Sequence, residues 1–219
     1  MTTESLLLFA VAGVLLNLTP GPDVLYIVTH ALRSGARAGM VAALGITAGC
    51  FVHIFAAAVG LSALMAASAI AFTVLKWAGA AYLVYVGIHL LVSQAESAIK
   101  LGATQIDSTR ASARIDYKSV FLHGFWTNTL NPKVALFFLA FVPQFIAPAV
   151  ENKPLAFLGL GLLFNFNGLW VNLGWAQAAA WLAGRAGVVQ KSMHVLDRIA
   201  GAMFIGFGIK LALTAAPKA

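Results

Sequence analysis

Long apolar runs alternate with short polar segments along this chain, in the pattern of a protein that crosses a membrane several times. The first run covers about residues 5–32, and residues 38–75 carry no charge at all. Because about 20 apolar residues span the hydrocarbon core, the second run must hold one helix and the start of another, divided near residues 64–72. The third predicted helix ends near residue 93. Further runs over residues 119–142, 154–182 and 193–213 complete six predicted helices.

A polar segment over residues 94–118 separates the six helices into two groups of three. Short motifs recur in the same order in both groups: residues 49–53 resemble 168–172, and residues 78–83 resemble 200–205. Since three is an odd number of crossings, the second group enters the membrane from the opposite side. The pattern predicts an all-α integral membrane protein built from two inverted three-helix repeats, over residues 1–93 and 119–219, joined by a cytoplasmic linker over 94–118.

Two polar breaks interrupt the first and fourth predicted helices. The first contains Asn17, Leu18, Thr19, Pro20, Gly21, Pro22 and Asp23, and the second contains Asn128, Thr129, Leu130, Asn131, Pro132 and Lys133. Proline lacks an amide donor and clashes with the preceding turn, so we expect the helices to restart at Pro20 and Pro132, capped by Thr19 and Asn131. Each restart would direct free N–H groups and a positive dipole end towards the membrane centre.

Asp23 is the only acidic residue predicted well inside a span, and Lys133 is the only basic one. Each costs roughly 2.5–3.5 kcal/mol at membrane depth. One interpretation is structural, in which the two pair with each other or with nearby carbonyls. The other is a binding site in which Asp23 receives an ammonium group and Lys133 a carboxylate, as a zwitterionic, neutral amino acid requires. The predicted substrate-binding residues are Asn17, Thr19, Pro20, Gly21, Pro22, Asp23, Asn128, Asn131, Pro132, Lys133 and Asn172.

Titratable side chains within the helices are the candidates for coupling to protons. Asp23, His53 and His89 are the groups that the pattern places there. We favour Asp23 and His53, because Asp23 lies in the first break and His53 corresponds to Asn172 in the repeat, so that both would face the same centre.

Other polar and small residues within the spans are interpreted as contacts between helices. Asn165 and Asn167 belong to this group, since side-chain amides hydrogen-bond across helices in membranes. Gly45 and Gly49 have the GxxxG spacing and are predicted to allow close helix packing.

The composition agrees with an integral membrane protein. Apolar residues make up 61% of the chain and charged residues 10%, and the mean hydropathy is +0.89, whereas about a quarter of the residues in soluble domains are charged. The net charge of +7 is scattered over short segments and forms no stripe for nucleic acid. The single cysteine, Cys50, excludes an internal disulfide and a thiolate metal cluster, so no metal and no cofactor are predicted.

The distribution of positive charge predicts the orientation. The start of the chain has no Lys or Arg before its apolar run, which favours a retained first helix over a cleaved signal. The linker and the loops on its side hold most of the 14 Lys and Arg residues. The positive-inside rule then places the linker in the cytoplasm and both termini in the periplasm.

Two other functions are weighed against an amino-acid carrier. Export of a cation or metal would normally require clustered carboxylates or thiolates, which the spans lack. A membrane-embedded enzyme or redox carrier is less favoured because the chain contains no HExxH or CxxC motif and no convincing Ser/His/Asp set.

Three motifs resemble the LysE/RhtB family of amino-acid exporters. They are the first break over residues 17–23, the Asn131-Pro132-Lys133 sequence, and the glycine pattern that joins residues 79–83 to Gly87. The resemblance implies a bacterial inner-membrane carrier that exports homoserine, threonine, leucine or related compounds with the proton-motive force. Its implied partners are an amino-acid substrate, protons and membrane lipid, but not nucleic acid, and it allows a homo-oligomer. The Asn-Pro-Lys form is more similar to the homoserine/threonine branch than to the lysine branch.

Overall fold

A computed structural model describes residues 3–61, 115–147 and 150–183, with single positions between 63 and 92 and between 198 and 213. The elements in the three continuous ranges are helical. They are α1 (Thr3–Leu18), α2 (Pro22–Ser34), α3 (Ala36–Ala56), α4 (Tyr117–Thr129), α5 (Pro132–Leu136) and α6 (Lys153–Trp181). A π-helical turn, Ala57–Leu61, extends α3, and α5 continues through a π-helical turn, Phe137–Phe141, and a 3-10 turn, Val142–Phe145.

Two of these helical stretches are long and apolar enough to cross a membrane, namely Ala36–Gly60 and Lys153–Trp181. The pair α1 and α2 forms a third candidate span, bent by 53° at the first break. Large apolar side chains remain exposed on these helices, as a lipid-facing surface requires: Leu7, Phe55, Leu155, Trp170 and Trp181. The described part is therefore a membrane protein of the all-α class.

The predicted helices one, two, four and five correspond to described elements. Helix four begins at Tyr117 rather than at 119, where the Asp116 side chain caps it by accepting from the amides of Lys118 and Ser119. Most of predicted helices three and six and of the linker lies outside the described residues, as does His89. Six spans and the inverted repeat therefore stay predictions.

The first break differs from its predicted form, because α2 begins at Pro22 and not at Pro20. Gly21 takes the cap position in an extended conformation, with φ −168° and ψ −176°, and no side chain caps the helix. The amide and the hydroxyl of Thr19 both donate to the Leu15 carbonyl, at 3.0 and 2.7 Å. The prediction of Thr19 as a cap is wrong, because its polar groups close α1 instead of opening α2.

The second break has its predicted form. Pro132 is the first residue of α5, and the side chain of Asn131 accepts from the Lys133 amide at 2.9 Å. This is the cap-and-proline start that the sequence predicts.

Helix α3 lies at the centre of the described fold and packs against α2, α4 and α6. A Cβ atom added to Gly45 or Gly49 would collide with the main-chain carbonyls of Phe121 and Phe125, respectively, on α4. One added to Gly124 on α4 would lie 2.8 Å from the Ala42 carbonyl. The predicted close packing is confirmed, and it brings the two backbones into direct contact.

Two different hydrophobic cores lie on opposite sides of the breaks. On the side where α1 begins, the core is aromatic and includes Phe9, Phe137, Phe138, Phe141, Phe157 and Phe164. On the side where α2 ends, the buried residues are mostly small or aliphatic, with Val24, Ile27, Ala31, Ala42, Ala43, Ala176 and Ala179 among them. The polar residues of the breaks lie between the two cores.

We predict that Gly45→Ala destabilises the protein, because its new methyl group would meet the Phe121 carbonyl. Overpacking of this kind costs about 1–3 kcal/mol. Gly174→Ala is the matched control, since a Cβ there meets nothing within 4 Å and alanine favours the helix. Thermal unfolding in one detergent compares the two. An unchanged unfolding temperature in Gly45→Ala would contradict the close contact between α3 and α4.

Candidate functional site

Each break removes the usual hydrogen-bond donor of one main-chain carbonyl, which in a continuous helix is the amide four residues later. The Leu16 carbonyl would accept from residue 20 and the Asn128 carbonyl from residue 132, but both positions are proline and have no amide hydrogen. Main-chain amides of the same break replace that donor, since the Thr19 amide donates to the Leu16 carbonyl at 3.2 Å and the Asn131 amide to the Asn128 carbonyl at 2.9 Å. In both cases, a basic side chain from a different helix donates to the same carbonyl as well.

Lys133 supplies the donor at the first break. Its Nζ atom donates to the carbonyls of Leu16 at 3.1 Å and Thr19 at 3.0 Å. Gly21 leaves the room for this approach, since a Cβ there would lie 3.2 Å from Nζ. A cation at the carbonyl end of a helix is favoured by the helix dipole. Lys133 therefore ties the start of α5 to the end of α1.

Asp23, Asn128 and His53 form a chain of contacts at the second break. His53 Nε2 lies 2.9 Å from the Asn128 carbonyl and must donate, because a carbonyl can only accept. The Asn128 side-chain Nδ2 donates to Asp23 Oδ2 at 2.8 Å. Asp23, Asn128 and His53 are all buried. The start of α2 is thus tied to the end of α4, and α3 contributes the histidine.

Several buried polar atoms around these ties have no hydrogen-bond partner within the described ranges. They are Asp23 Oδ1, Asn128 Oδ1, Thr129 Oγ1, Asn131 Nδ2 and Trp175 Nε1. A buried polar group without a partner costs about 1–3 kcal/mol. Four of these five atoms lie at the two helix breaks, so the breaks are where a polar ligand, an ion or a water molecule would find partners in the described structure.

A small polar cavity lies beside Asn128. Its lining combines amides and a hydroxyl with a few apolar or small residues: Asn17, Ile46, Thr47, Cys50, Asn128, Phe164, Asn165, Gly168 and Asn172. Its volume of about 10 Å³ is close to what one water molecule requires. An amino acid is several times larger than this volume.

Most of the predicted site residues lie around this centre. Asp23, Asn128, Asn131 and Lys133 join the two breaks through the contacts described above, and Asn17 and Asn172 line the cavity. Pro20, Pro22 and Pro132 shape the breaks, whereas Thr19 contributes its main-chain carbonyl to Lys133.

Two residues of the cavity with polar amide or hydroxyl side chains were not predicted to belong to the site. Asn165 was assigned to packing between helices, and Thr47 gave no signal because an isolated threonine in an apolar helix is common. A signal for Asn165 does exist, since Asn165, Gly168 and Asn172 have the i, i+3, i+7 spacing of one helix face. No group of three His, Cys, Asp or Glu side chains that could hold a metal ion occurs among the residues that the structure places.

Comparison with protein families identifies the chain. The family described as LysE type translocator matches residues 14–215. The chain belongs to this family. It is therefore a membrane transporter and not an enzyme, as the sequence motifs predicted.

Relatives of the translocator cover almost its whole length. A membrane protein of Vibrio cholerae is 34% identical over 94% of this chain and 95% of its own. The homoserine/homoserine lactone efflux protein of Salmonella typhimurium is 32% identical over 97% of this chain and 98% of its own. The leucine efflux protein of Salmonella choleraesuis is 24% identical over 93% of this chain and 92% of its own. No solved structure matches the chain.

We predict that Lys133→Met destabilises the translocator by about 2 kcal/mol, since hydrogen bonds from a charged donor contribute about 1.5–3 kcal/mol each. The exposed Lys118 provides the matched control as Lys118→Met. Thermal unfolding in detergent measures both variants. Equal unfolding temperatures for the two would show that the bonds to the Leu16 and Thr19 carbonyls contribute nothing to stability.

Proposed function

We propose that this translocator exports neutral, zwitterionic amino acids or close derivatives across the bacterial inner membrane, by alternating access and in exchange for protons. The proposal rests on a pair of hydrogen bonds between the two broken helices. Asp23 of the first accepts from Asn128 of the second, and Lys133 of the second donates to the Leu16 carbonyl of the first. We call these two contacts the crossed ties. The names of the Salmonella efflux proteins support this substrate class.

The two charged residues give the site two chemically different ends. Asp23 faces an ammonium group, and its Oδ1 atom already lacks a partner among the described residues. Lys133, at the N-terminal end of α5, can exchange the Leu16 and Thr19 carbonyls for a substrate carboxylate, a stronger acceptor. Asn131 stands beside Lys133 with an unpartnered Nδ2 donor. The remaining predicted residues shape or line the same centre.

Proton coupling is assigned to Asp23 and His53. Asn128 connects them, since its carbonyl accepts from His53 and its side chain donates to Asp23. Protonation of Asp23 would remove the negative charge that holds an ammonium group. Substrate and proton would thereby compete for the same carboxylate, which is what an exchange mechanism requires.

The position of the polar centre, between the two cores, supports alternating access. The aromatic core closes one side and the aliphatic core the other. The proposed architecture has six spans in two inverted repeats, with α1 and α2 corresponding to α4 and α5. The crossed ties support this symmetry because each connects one broken helix to the other. Opening either core while the other stays closed would expose the centre to one side at a time. In this arrangement the linker is cytoplasmic and both termini are periplasmic.

We predict that Asp23→Asn lowers amino-acid transport by about tenfold or more, because a hydrogen bond to a charged group contributes about 1.5–3 kcal/mol. The assay is uptake of labelled homoserine, threonine and leucine into everted membrane vesicles, with and without a pH gradient. Glu4→Gln is the control, since Glu4 is an exposed acid in the first turn of α1.

The expected pattern is gradient-dependent uptake in the wild type and in Glu4→Gln, and a loss of uptake in Asp23→Asn at equal expression. Wild-type uptake that ignores the pH gradient would reject proton coupling. Full activity in Asp23→Asn would reject the assignment of the site.

A further inference from the structure

Four polar side chains around the cavity each donate one hydrogen bond to the protein. Asn17 Nδ2 donates to the Gly13 carbonyl at 2.9 Å, and Asn165 Nδ2 to the Thr47 carbonyl at 3.3 Å. The Thr47 hydroxyl donates to the Ala43 carbonyl at 2.9 Å. Asn128 Nδ2 donates to Asp23 Oδ2.

These contacts determine which atom each amide leaves for a ligand. Carbonyl and carboxylate oxygens only accept, so each amide turns its nitrogen towards them and keeps its oxygen and a second N–H for other partners. Asn128 is 3% exposed, and its Oδ1 has no partner within the described ranges. The Thr47 hydroxyl oxygen keeps its lone pairs and has no hydrogen left to donate, since that hydrogen is used. Asn128 and Thr47 therefore offer acceptors to a ligand in the cavity.

These acceptors and the nearby Asp23 carboxylate favour a cationic donor. An ammonium group offers three N–H donors and has no acceptor of its own, whereas a carboxylate would be repelled by the negative charge of Asp23. Asp23 lies directly behind Asn128 and supplies the compensating negative charge. We infer that the cavity binds the ammonium group of the substrate, with Asn165 and Thr47 as binding residues beside Asn17 and Asn128. This inference rests on the proposed function.

The consequence is a rule for substrates. A compound must carry a free ammonium group, since an acylated amine has lost the charge and two of its donors. The carboxylate contributes less, because Lys133 must first give up the Leu16 and Thr19 carbonyls to reach it. Esters of amino acids should therefore still bind, and N-acyl amino acids should not.

Ligand binding is read from the thermal unfolding of the full-length protein in detergent, because a ligand that binds only the folded protein raises its unfolding temperature. The measurement is made at about pH 6, where α-amino groups are protonated. Threonine, threonine methyl ester, N-acetylthreonine, sodium chloride and choline chloride are compared as ligands. We expect threonine and its ester to raise the unfolding temperature by a few degrees and N-acetylthreonine to leave it unchanged.

Other outcomes overturn the inference. Equal stabilisation by N-acetylthreonine would assign recognition to the carboxylate, and stabilisation by sodium but not choline would make the cavity a metal-cation site. No stabilisation by threonine or its ester would also overturn the inference, while the proposed function would stand if vesicles still transport threonine. A failure of all amino-acid transport in wild-type vesicles would instead reject the proposed function itself.

Substitutions separate binding from packing. Asn165→Leu and Thr47→Val are expected to raise the KM for threonine uptake by about tenfold, since each removes an acceptor of a charged donor. They should change the maximal rate less. Thr47→Ser keeps the hydroxyl, so its KM should be close to that of the wild type. Asn167→Leu is the control on the same helix, because Asn167 does not line the cavity. An unchanged KM in both Asn165→Leu and Thr47→Val, with the protein still folded, would contradict the assignment.

Discussion

The missing amide hydrogens of Pro20 and Pro132 are the constraint on which the described structure depends. Each proline leaves the carbonyl four residues earlier, at Leu16 or Asn128, without its helical donor. The amides of Thr19 and Asn131, within the breaks, donate to these carbonyls in its place. Lys133 and His53 add a second donor to each from other helices. A local defect in two helices thereby fixes how those helices are placed against each other and against α3.

The same constraint explains how charged groups are tolerated at this depth. Lys133 binds the carbonyl end of α1, and Asp23 accepts from Asn128 near the end of α4. In the proposed mechanism these contacts are exchanged, since a substrate carboxylate or ammonium group would replace one of the protein partners. Atoms such as Asp23 Oδ1 and Asn128 Oδ1, which lack partners in the described part of the chain, would lower the cost of that exchange. The glycine contacts between α3 and α4 meanwhile hold His53 close to Asn128.

The breaks, their central position and the close packing at Gly45 and Gly49 could be predicted from the sequence, because proline chemistry and glycine spacing act locally. Main-chain carbonyls were considered as partners of Lys133, but the Leu16 and Thr19 carbonyls in particular could not be predicted, since they depend on how two distant helices cross. The restart at Pro22 was missed because two prolines lie in one break, and either can begin a helix. Thr47 joined the site only through packing, as its neighbours along α3 are apolar or small.

The central claim is that Asp23 and Asn128 act as one unit that couples the two broken helices during transport. A double-mutant cycle tests it most directly, with threonine uptake into everted vesicles measured for Asp23→Asn, Asn128→Ala and the double variant at equal expression. The account predicts strong coupling: the double variant should have nearly the same activity as the less active of the two single variants, which corresponds to an interaction energy of about 0.5–3 kcal/mol. Losses that simply multiply, with no interaction energy, would contradict it.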